Sequence, residues 1–388
     1  MIDRVDVKEC CQCGNCAINC PVGAISFSRE NGLFLFPSID LNKCIHCNKC
    51  EKTCPVISPL EQTEVIESYA TKNKDTTIKK QSSSGGVFSA LAETVFFNGG
   101  AVYGAVFEKD FCVKHKKAGT AEDLIKMRGS KYVLSDLNNC FFEIKQLLCS
   151  NITVLFSGTP CQCAALQTFL KDTSYGGTLY VVDFVCHGIL SDKLFHEYIR
   201  SLEIKRKSKI VSFEFRNKKY GWIDSGPLIK YQNGQEDHWP LYEDTYMQGY
   251  FQGICMRESC YRCQYKNFRS GSDLTMGDYW GAKQLSPELY DSDGLSMLVV
   301  NSDNGKNLLE LAKNKLILSV LSVETLSKYN QGLYRPFKKG EKSEQFYQLL
   351  ERTDAITALK KVTEISHVEK MKRVYRKVRR IILWKMNK

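Results

Sequence analysis

Residues 10–21 read CCQCGNCAINCP and residues 44–55 read CIHCNKCEKTCP, each with the spacing C-x-x-C-x-x-C-x-x-x-C-P. Three thiolates at two-residue gaps in a tight loop can hold three irons of one cubane. The fourth cysteine, on the short helix that follows, points at the other cluster. The spacing therefore predicts a first cluster on Cys10, Cys13, Cys16 and Cys54, and a second on Cys44, Cys47, Cys50 and Cys20. Pro21 and Pro55 end each run and turn the chain away. A pair of zinc sites is the alternative, but zinc takes four ligands and the doubled eight-ligand pattern fits cubanes better. Cys11 sits inside the first motif as an extra thiol.

The chain has 18 cysteines in 388 residues, and 43% hydrophobic with 25% charged residues gives ample core without disulfide staples. The opening MIDRVDVKECCQCG lacks the apolar stretch of a secretory leader, and no apolar run reaches the roughly 18 residues of a membrane span. The expectation is a cytoplasmic protein of two or three domains whose thiols stay reduced and bind metal. Residues 1–57 resemble bacterial two-cluster ferredoxins. Two adjacent clusters make an electron wire, so the chemistry must lie elsewhere in the chain.

The net charge of +11 invites a nucleic-acid reading, but its distribution argues against one. Residues 367–388 carry nine basic side chains against Glu369, a net +8, and the other 366 residues share +3. The body is nearly neutral, and nucleic acid is not its substrate. In the tail, Met371, Val374, Val378, Ile381 and Ile382 fall at helical spacing. A basic amphipathic helix of this kind can lie on the anionic inner face of a membrane. Packing on the body or on a second subunit is the alternative, so a homo-oligomer stays open.

Segment 58–66 reads as a linker. Beyond it, helix and strand patterns alternate, which predicts an α/β body (α+β overall) with mixed sheets. Ser84 can cap a helix over about 86–98, followed by strand 101–107. Ser135 can cap a helix to Leu148, followed by buried strand 152–158. Thr159 and Pro160 open the next helix. Strands are also predicted at 179–185 and 296–301, with helices after Ser191 and near 307–313.

Two features of the body carry chemistry. SSSGGVF (82–88) is a small-residue turn opening a helix, and uncrowded backbone amides at a helix N-terminus suit a diphosphate. The second feature is a scattered cysteine set. Cys161 and Cys163 follow one strand, Cys186 follows its neighbour, and SCYRC supplies Cys260 and Cys263. Two strand ends and a C-x-x-C can converge on one four-thiolate site, which suits either zinc or iron–sulfur. Cys112, Cys140 and Cys149 read as core residues, and Cys255 is ambiguous.

The segments SSSGGVFSAL (82–91), RGSKYVLSD (128–136), SGTPCQCAAL (157–166), DFVCHG (183–188), SCYRC (259–263) and SDLTMGDYWG (272–281) resemble one family. It is that of the beta subunit of coenzyme F420-reducing hydrogenase and of F420-dependent dehydrogenases. The resemblance implies a ferredoxin domain at 1–57, an FAD-binding region at 67–150, a cluster-bearing domain at 151–330 and an extension at 331–388. It implies FAD phosphates at Ser84, Gly85 and Gly86, the flavin near Ser130 and Lys131, and a pocket helped by Asp273 and Asp278. It implies a third 4Fe–4S cluster on Cys161, Cys186, Cys260 and Cys263. Leu134 stands where a polar residue is expected, and Cys163 stands where an aliphatic one is usual, which makes it a second candidate ligand. Many bacterial members are fused to ferredoxins and associated with surface-polysaccharide synthesis, so coenzyme F420 need not be the substrate.

Clusters carry single electrons, whereas FAD exchanges a hydride and releases electrons singly. The expected function is an iron–sulfur flavoprotein oxidoreductase passing electrons between the clusters and a small-molecule hydride donor or acceptor. Lys131 is the expected catalytic residue, a positive charge near the flavin. Two rival readings stand beside it. One is an electron-transfer subunit feeding a redox partner protein, and the other a non-enzymatic zinc or redox sensor.

Overall fold

The computed structural model describes residues 2–29, 32–364, 371 and 375, which divide into two compact units. The first is Met1–Asp192 with Arg257–Phe337, and the second is Lys193–Met256 with Lys338–Lys388. Apart from Met371 and Tyr375, the predicted basic helix of the tail lies outside the described residues. Among the described residues, no helix is long and apolar enough to cross a membrane.

In the first unit, the doubled cysteine motif folds as two short helices, Asn15–Ile18 and Lys49–Lys52, with an antiparallel hairpin of β1 (Ile25–Ser28) and β2 (Phe36–Ile39) between them. Each helix is entered through a left-handed residue, Gly14 (φ 81°) or Asn48 (φ 57°). Such a residue reverses the chain sharply, and Gly and Asn are the types that tolerate it. Asn15 is fully buried and donates to the carbonyls of Thr53 (2.9 Å) and Ala165 (2.7 Å), tying the two motifs to each other and to the body.

The later strands, in chain order, are β3 (Glu67–Asn73), β4 (Ala101–Phe107), β5 (Val113–Lys117), β6 (Val154–Ser157), β7 (Leu179–Phe184), β8 (Ile210–Asn217), β9 (Gly226–Tyr231), β10 (Glu236–His238), β11 (Leu274–Asp278), β12 (Ser296–Val300) and β13 (Leu316–Val320). Eight of them form one mixed sheet in the order β13-β3-β12-β11-β7-β6-β4-β5. Strands β4, β6, β7 and β11 run parallel, while β12, β3, β13 and β5 join by antiparallel pairing. The predicted mixed-sheet α/β class is the class observed.

Alternation along the strands explains the layers. Val102, Leu155 and Val182 face one core, together with Val87, Leu91 and Val95 of helix Val87–Phe97. Tyr103, Val154, Phe156 and Val181 face the other, against Phe141 and Ile144 of helix Cys140–Cys149 and Leu166 of helix Pro160–Leu170. Both sheet faces are therefore covered, as parallel strands require.

Two local expectations fail for identifiable reasons. Ser84 does not cap its helix, because its hydroxyl donates to Leu295 O (3.0 Å) and Gly86 (φ 84°) takes the cap position. The helix expected from Ser135 starts at Cys140, because Asp136 first pairs with β5 through Asp136 N to Val113 O (2.8 Å) and His115 N to Asp136 O (2.8 Å). The second unit holds the sheet β10-β9-β8 and an aromatic core of Phe195, Tyr198, Phe213, Phe215 and Tyr246. At that core, the buried Asp244 accepts from Tyr198 Oη and Trp239 Nε1.

Candidate metal centres and cofactor site

Cys20, Cys44, Cys47 and Cys50 line one pocket with Val22, Ala24, Ile25, Ile39 and Ile45. Burial is the largest single influence on Cys20 and opposes its ionisation, but the amides of Val22 to Ile25 together outweigh it and hold the thiol below its usual range. Ala24 N donates to its sulfur at 3.2 Å. Cys16 and Cys54 are buried beside Ile2, Val5, Phe27 and Val56. Burial, with repulsion from Cys10 and Cys54, pushes Cys16 up to about 12, and burial with repulsion from Cys10 and Cys50 raises Cys54. Cys50 also packs against Cys16 and Cys54, and Cys13 lies on the side that faces the body beside Cys11.

The body cysteines come together at the carboxyl edge of the sheet, where ligands bind in open α/β folds. Cys161 follows β6 on the first turn of helix Pro160–Leu170, and Cys186 follows β7. Thr159 N donates to Gln162 Oε1 (3.0 Å), fixing the helix start, and Thr159 Oγ1 lies 3.2 Å from Cys161 Sγ. Cys260 and Cys263 come from the turn Glu258–Arg262 and its end. All four line a single cavity with Cys11, His187, Arg257, Tyr265 and Lys266. Burial is the main cause that raises Cys186, to about 12, and Cys260, with repulsion from the neighbouring thiols added. Such thiols ionise only against positive charge, and a metal cluster supplies it.

Two cations missed by the sequence reading are built into this cavity. Arg257 is 1% exposed and donates to the Cys10 carbonyl, to Gln12 Oε1 (2.8 Å) and to Leu35 O (3.1 Å), with Phe36 under its guanidinium at 4.4 Å. Lys266 is 7% exposed and donates to the carbonyls of Cys186 and Gly332. Among the described residues neither makes a carboxylate ion pair there, so both suit a wall around an anionic cluster of four thiolates. Cys163 is turned away, its sulfur directed at Gly158 O (3.6 Å) and Val182 O (3.9 Å) within the core. Cys140 is buried as expected, whereas Cys149, at the last position of its helix, is exposed, and Cys112, in the turn before β5, is half-buried.

The Ser-Gly turn lies at the same edge of the sheet. Gly85 N donates to Ser296 Oγ (2.8 Å), and Gly85 O accepts from Asn73 N (2.7 Å). A Cβ at Gly85 would lie 2.6 Å from Thr71 O, so glycine there permits close packing on β3 and β12. Ser84 Oγ and Gly85 N are thus committed to the protein. The anion-binding capacity rests on Gly86 and the eleven-residue helix Val87–Phe97, whose buried first turn has no side-chain cap. That end fits a diphosphate.

Ser130 joins this turn, its N–H donating to Ser83 Oγ (2.7 Å) and its hydroxyl meeting the same oxygen (3.0 Å). Lys131 Nζ donates to the carbonyls of Met127, Arg128 (3.1 Å) and Gly129 (3.2 Å), and loss of hydration pushes it down to about 7. Asp273 lies elsewhere: its oxygens accept from Val181 N (2.7 Å) and Ser302 Oγ (2.5 Å), so it fastens strands beneath the edge. Asp278 ends β11 opposite Ser296, the residue that holds Ser84, and its charge acts on His187. Burial pushes His187 down to about 4.

Comparison with known proteins places these features in a group. Residues 68–141 match the N-terminal part, and residues 152–325 the C-terminal part, of the coenzyme F420 hydrogenase/dehydrogenase beta subunit. Residues 9–58 match the 4Fe–4S dicluster domain. The coenzyme F420-dependent sulfite reductase of Methanocaldococcus jannaschii is 24% identical over 352 residues, covering 86% of this chain and 50% of that protein. The chain therefore spans about half the length of that relative. A chain of the F420-reducing NiFe hydrogenase complex from Methanosarcina barkeri aligns with TM-score 0.47 and 17% identity, over 77% of this chain and 91% of that one.

Proposed function

The chain belongs to the coenzyme F420 hydrogenase/dehydrogenase beta-subunit family, with a 4Fe–4S dicluster domain ahead of the family region, and from that premise we propose that it is an FAD-dependent iron–sulfur oxidoreductase. The observation that carries the reading is the single cavity lined by Cys161, Cys186, Cys260 and Cys263 at the sheet edge that also bears the uncapped helix of Gly86. Bound there, FAD would supply the conversion between hydride exchange and single-electron transfer to 4Fe–4S clusters.

The chain's own residues do the rest. The four body thiolates hold the third cluster, while Arg257 and Lys266 offset its negative charge and exclude water from its wall. Gly86 and the first-turn amides after it hold the phosphates. Ser83 and Ser130 fasten that turn to the Gly129–Lys131 segment, and Lys131 would be the residue beside a flavin bound there. The partner on one side is a hydride-exchanging small molecule, with surface-polysaccharide precursors the class implied by the resemblance. On the other side it is a redox protein reached through the dicluster domain.

Cofactor content after anaerobic purification tests the proposal. About twelve irons and one FAD per chain are expected, four irons for each of three cubanes. About eight irons, with zinc and no flavin, would overturn it. The phosphate site is tested by a matched pair of variants. Gly86→Asp and Gly86→Asn share the strain of φ 84° and the approach to Asn73 Cβ (3.2 Å), and differ only in charge. Flavin should be lost from the aspartate variant and retained, at least in part, by the asparagine variant. Equal flavin in both would remove the diphosphate from this helix.

A further inference from the structure

The third cavity contains five cysteines where a cubane needs four. Cys11 is 7% exposed, lines the same cavity as the four body thiols, and packs with Ala164, Tyr265, Cys161 and Cys263. Its sulfur lies 4.0 Å from Tyr265 Oη, and Cys13 and Cys161 both pack against the cluster that Cys11 forms with Ala164 and Tyr265. The orientation is built. Gln12, the next residue, is left-handed (φ 58°), and Arg257 grips the carbonyl of Cys10 and the side chain of Gln12 on either side of Cys11. A left-handed backbone is unfavourable for a glutamine, which carries a Cβ. Here that geometry turns Cys11 into the body.

We propose that Cys11 is a fifth thiol of the third cluster site, able to take the iron that Cys161 holds. The inference rests on the reading of this cavity as a 4Fe–4S site. A metal–thiolate bond is about 2.3 Å long, so two sulfurs that line one cavity and pack in one cluster can reach the same metal position by side-chain rotation. The exchange is redox-neutral: the Cys11 thiol gives up its proton as it binds iron, and the Cys161 thiolate takes one up as it leaves. Cys260 has no such substitute, its nearest ionisable neighbours being Cys186, Cys263 and Cys161, themselves ligands.

The test is iron and acid-labile sulfide per full-length chain, purified anaerobically, for wild type, Cys11→Ala, Cys161→Ala, Cys260→Ala and the Cys11→Ala/Cys161→Ala pair. Wild type and the Cys11 and Cys161 single variants should hold about twelve irons, and Cys260→Ala and the double variant about eight. Cys161→Ala falling to about eight, level with Cys260→Ala, overturns the proposal even if the double variant fails to fold. Cys11→Ala at about eight also overturns it, since Cys11 would then be a resident ligand and not a substitute. Wild type at about eight irons brings down the reading of the cavity itself, a separate failure.

Discussion

Cys20, Cys44, Cys47 and Cys50 ring a pocket drawn from two loops of one small region, and Cys47 is exposed. Cys161, Cys186, Cys260 and Cys263 ring a cavity drawn from the ends of β6 and β7 and from a turn far along the chain, walled by Arg257 and Lys266. The first arrangement is local, and left-handed Gly14 and Asn48 with the amides after Cys20 form it without help from the sheet. The second exists only when the sheet is assembled. A local site tolerates change in its surroundings, whereas an assembled one inherits the stability of every element that reaches it.

Arg257 is where the two regions depend on each other, so its removal is the strongest way to break the contrast. Arg257→Ala leaves the carbonyls of Cys10 and Leu35 without this donor, leaves Gln12 Oε1 with Leu35 N alone (3.3 Å), and empties the space beside Phe34 and Phe36. Buried acceptors left unpaired cost 1–3 kcal/mol each, so the loss should be about 4 kcal/mol. The midpoint of anaerobic thermal bleaching of the cluster absorbance measures it. Arg257→Lys keeps the charge with a single donor head and should fall between the two. An unchanged midpoint in Arg257→Ala would show that the dicluster loops stand alone.

The same distinction explains what could be read from the sequence. The cysteine spacing carried the dicluster assignment because three ligands of each group lie within one motif and the fourth, Cys54 or Cys20, closes the other motif. Strand β4 was predicted with its observed ends, Ala101 and Phe107, because the run AVYGAVF is closed off by Gly100 before it. Arg257 and Lys266 carry no such signal. Their partners are mostly backbone carbonyls brought near by the sheet, and a carbonyl leaves no mark in a sequence. Cys11 was visible only as a surplus thiol, since its orientation depends on the φ of Gln12. Ser84 misled because its hydroxyl found Leu295 O, a partner more than 200 positions away, before its own helix. Asp273 misled in the same way, its carboxylate being spent on Val181 and Ser302.

Ion pairs sharpen the comparison at a smaller scale. In the body, Asp291 accepts from Lys79 (2.6 Å) and Lys72 (2.9 Å), with side-chain exposures of 14%, 8% and 24%. The three residues pin β3 to the helix Thr76–Gln81 that leads into the Ser-Gly turn. Burial alone would raise this carboxyl, but the two ammonium groups outweigh it and hold it at about 2. A carboxyl held below its unfolded value near 4 contributes stability that is complete above that value and lost as pH falls toward 2. The contribution at neutral pH is about 2 kcal/mol. In the dicluster region, Arg4 and Glu51 are 3.7 Å apart and Arg4 is 77% exposed, so Glu51→Gln should cost no more than about 0.5 kcal/mol. Anaerobic urea titration, read by tryptophan fluorescence, should therefore show Asp291→Asn well below wild type at pH 7, with the gap closing between pH 4 and 2. Acid strips iron–sulfur clusters from both chains alike, so the difference between them isolates the carboxyl. A gap that stays constant down to pH 2 would mean that Asp291 acts through packing and not through its charge.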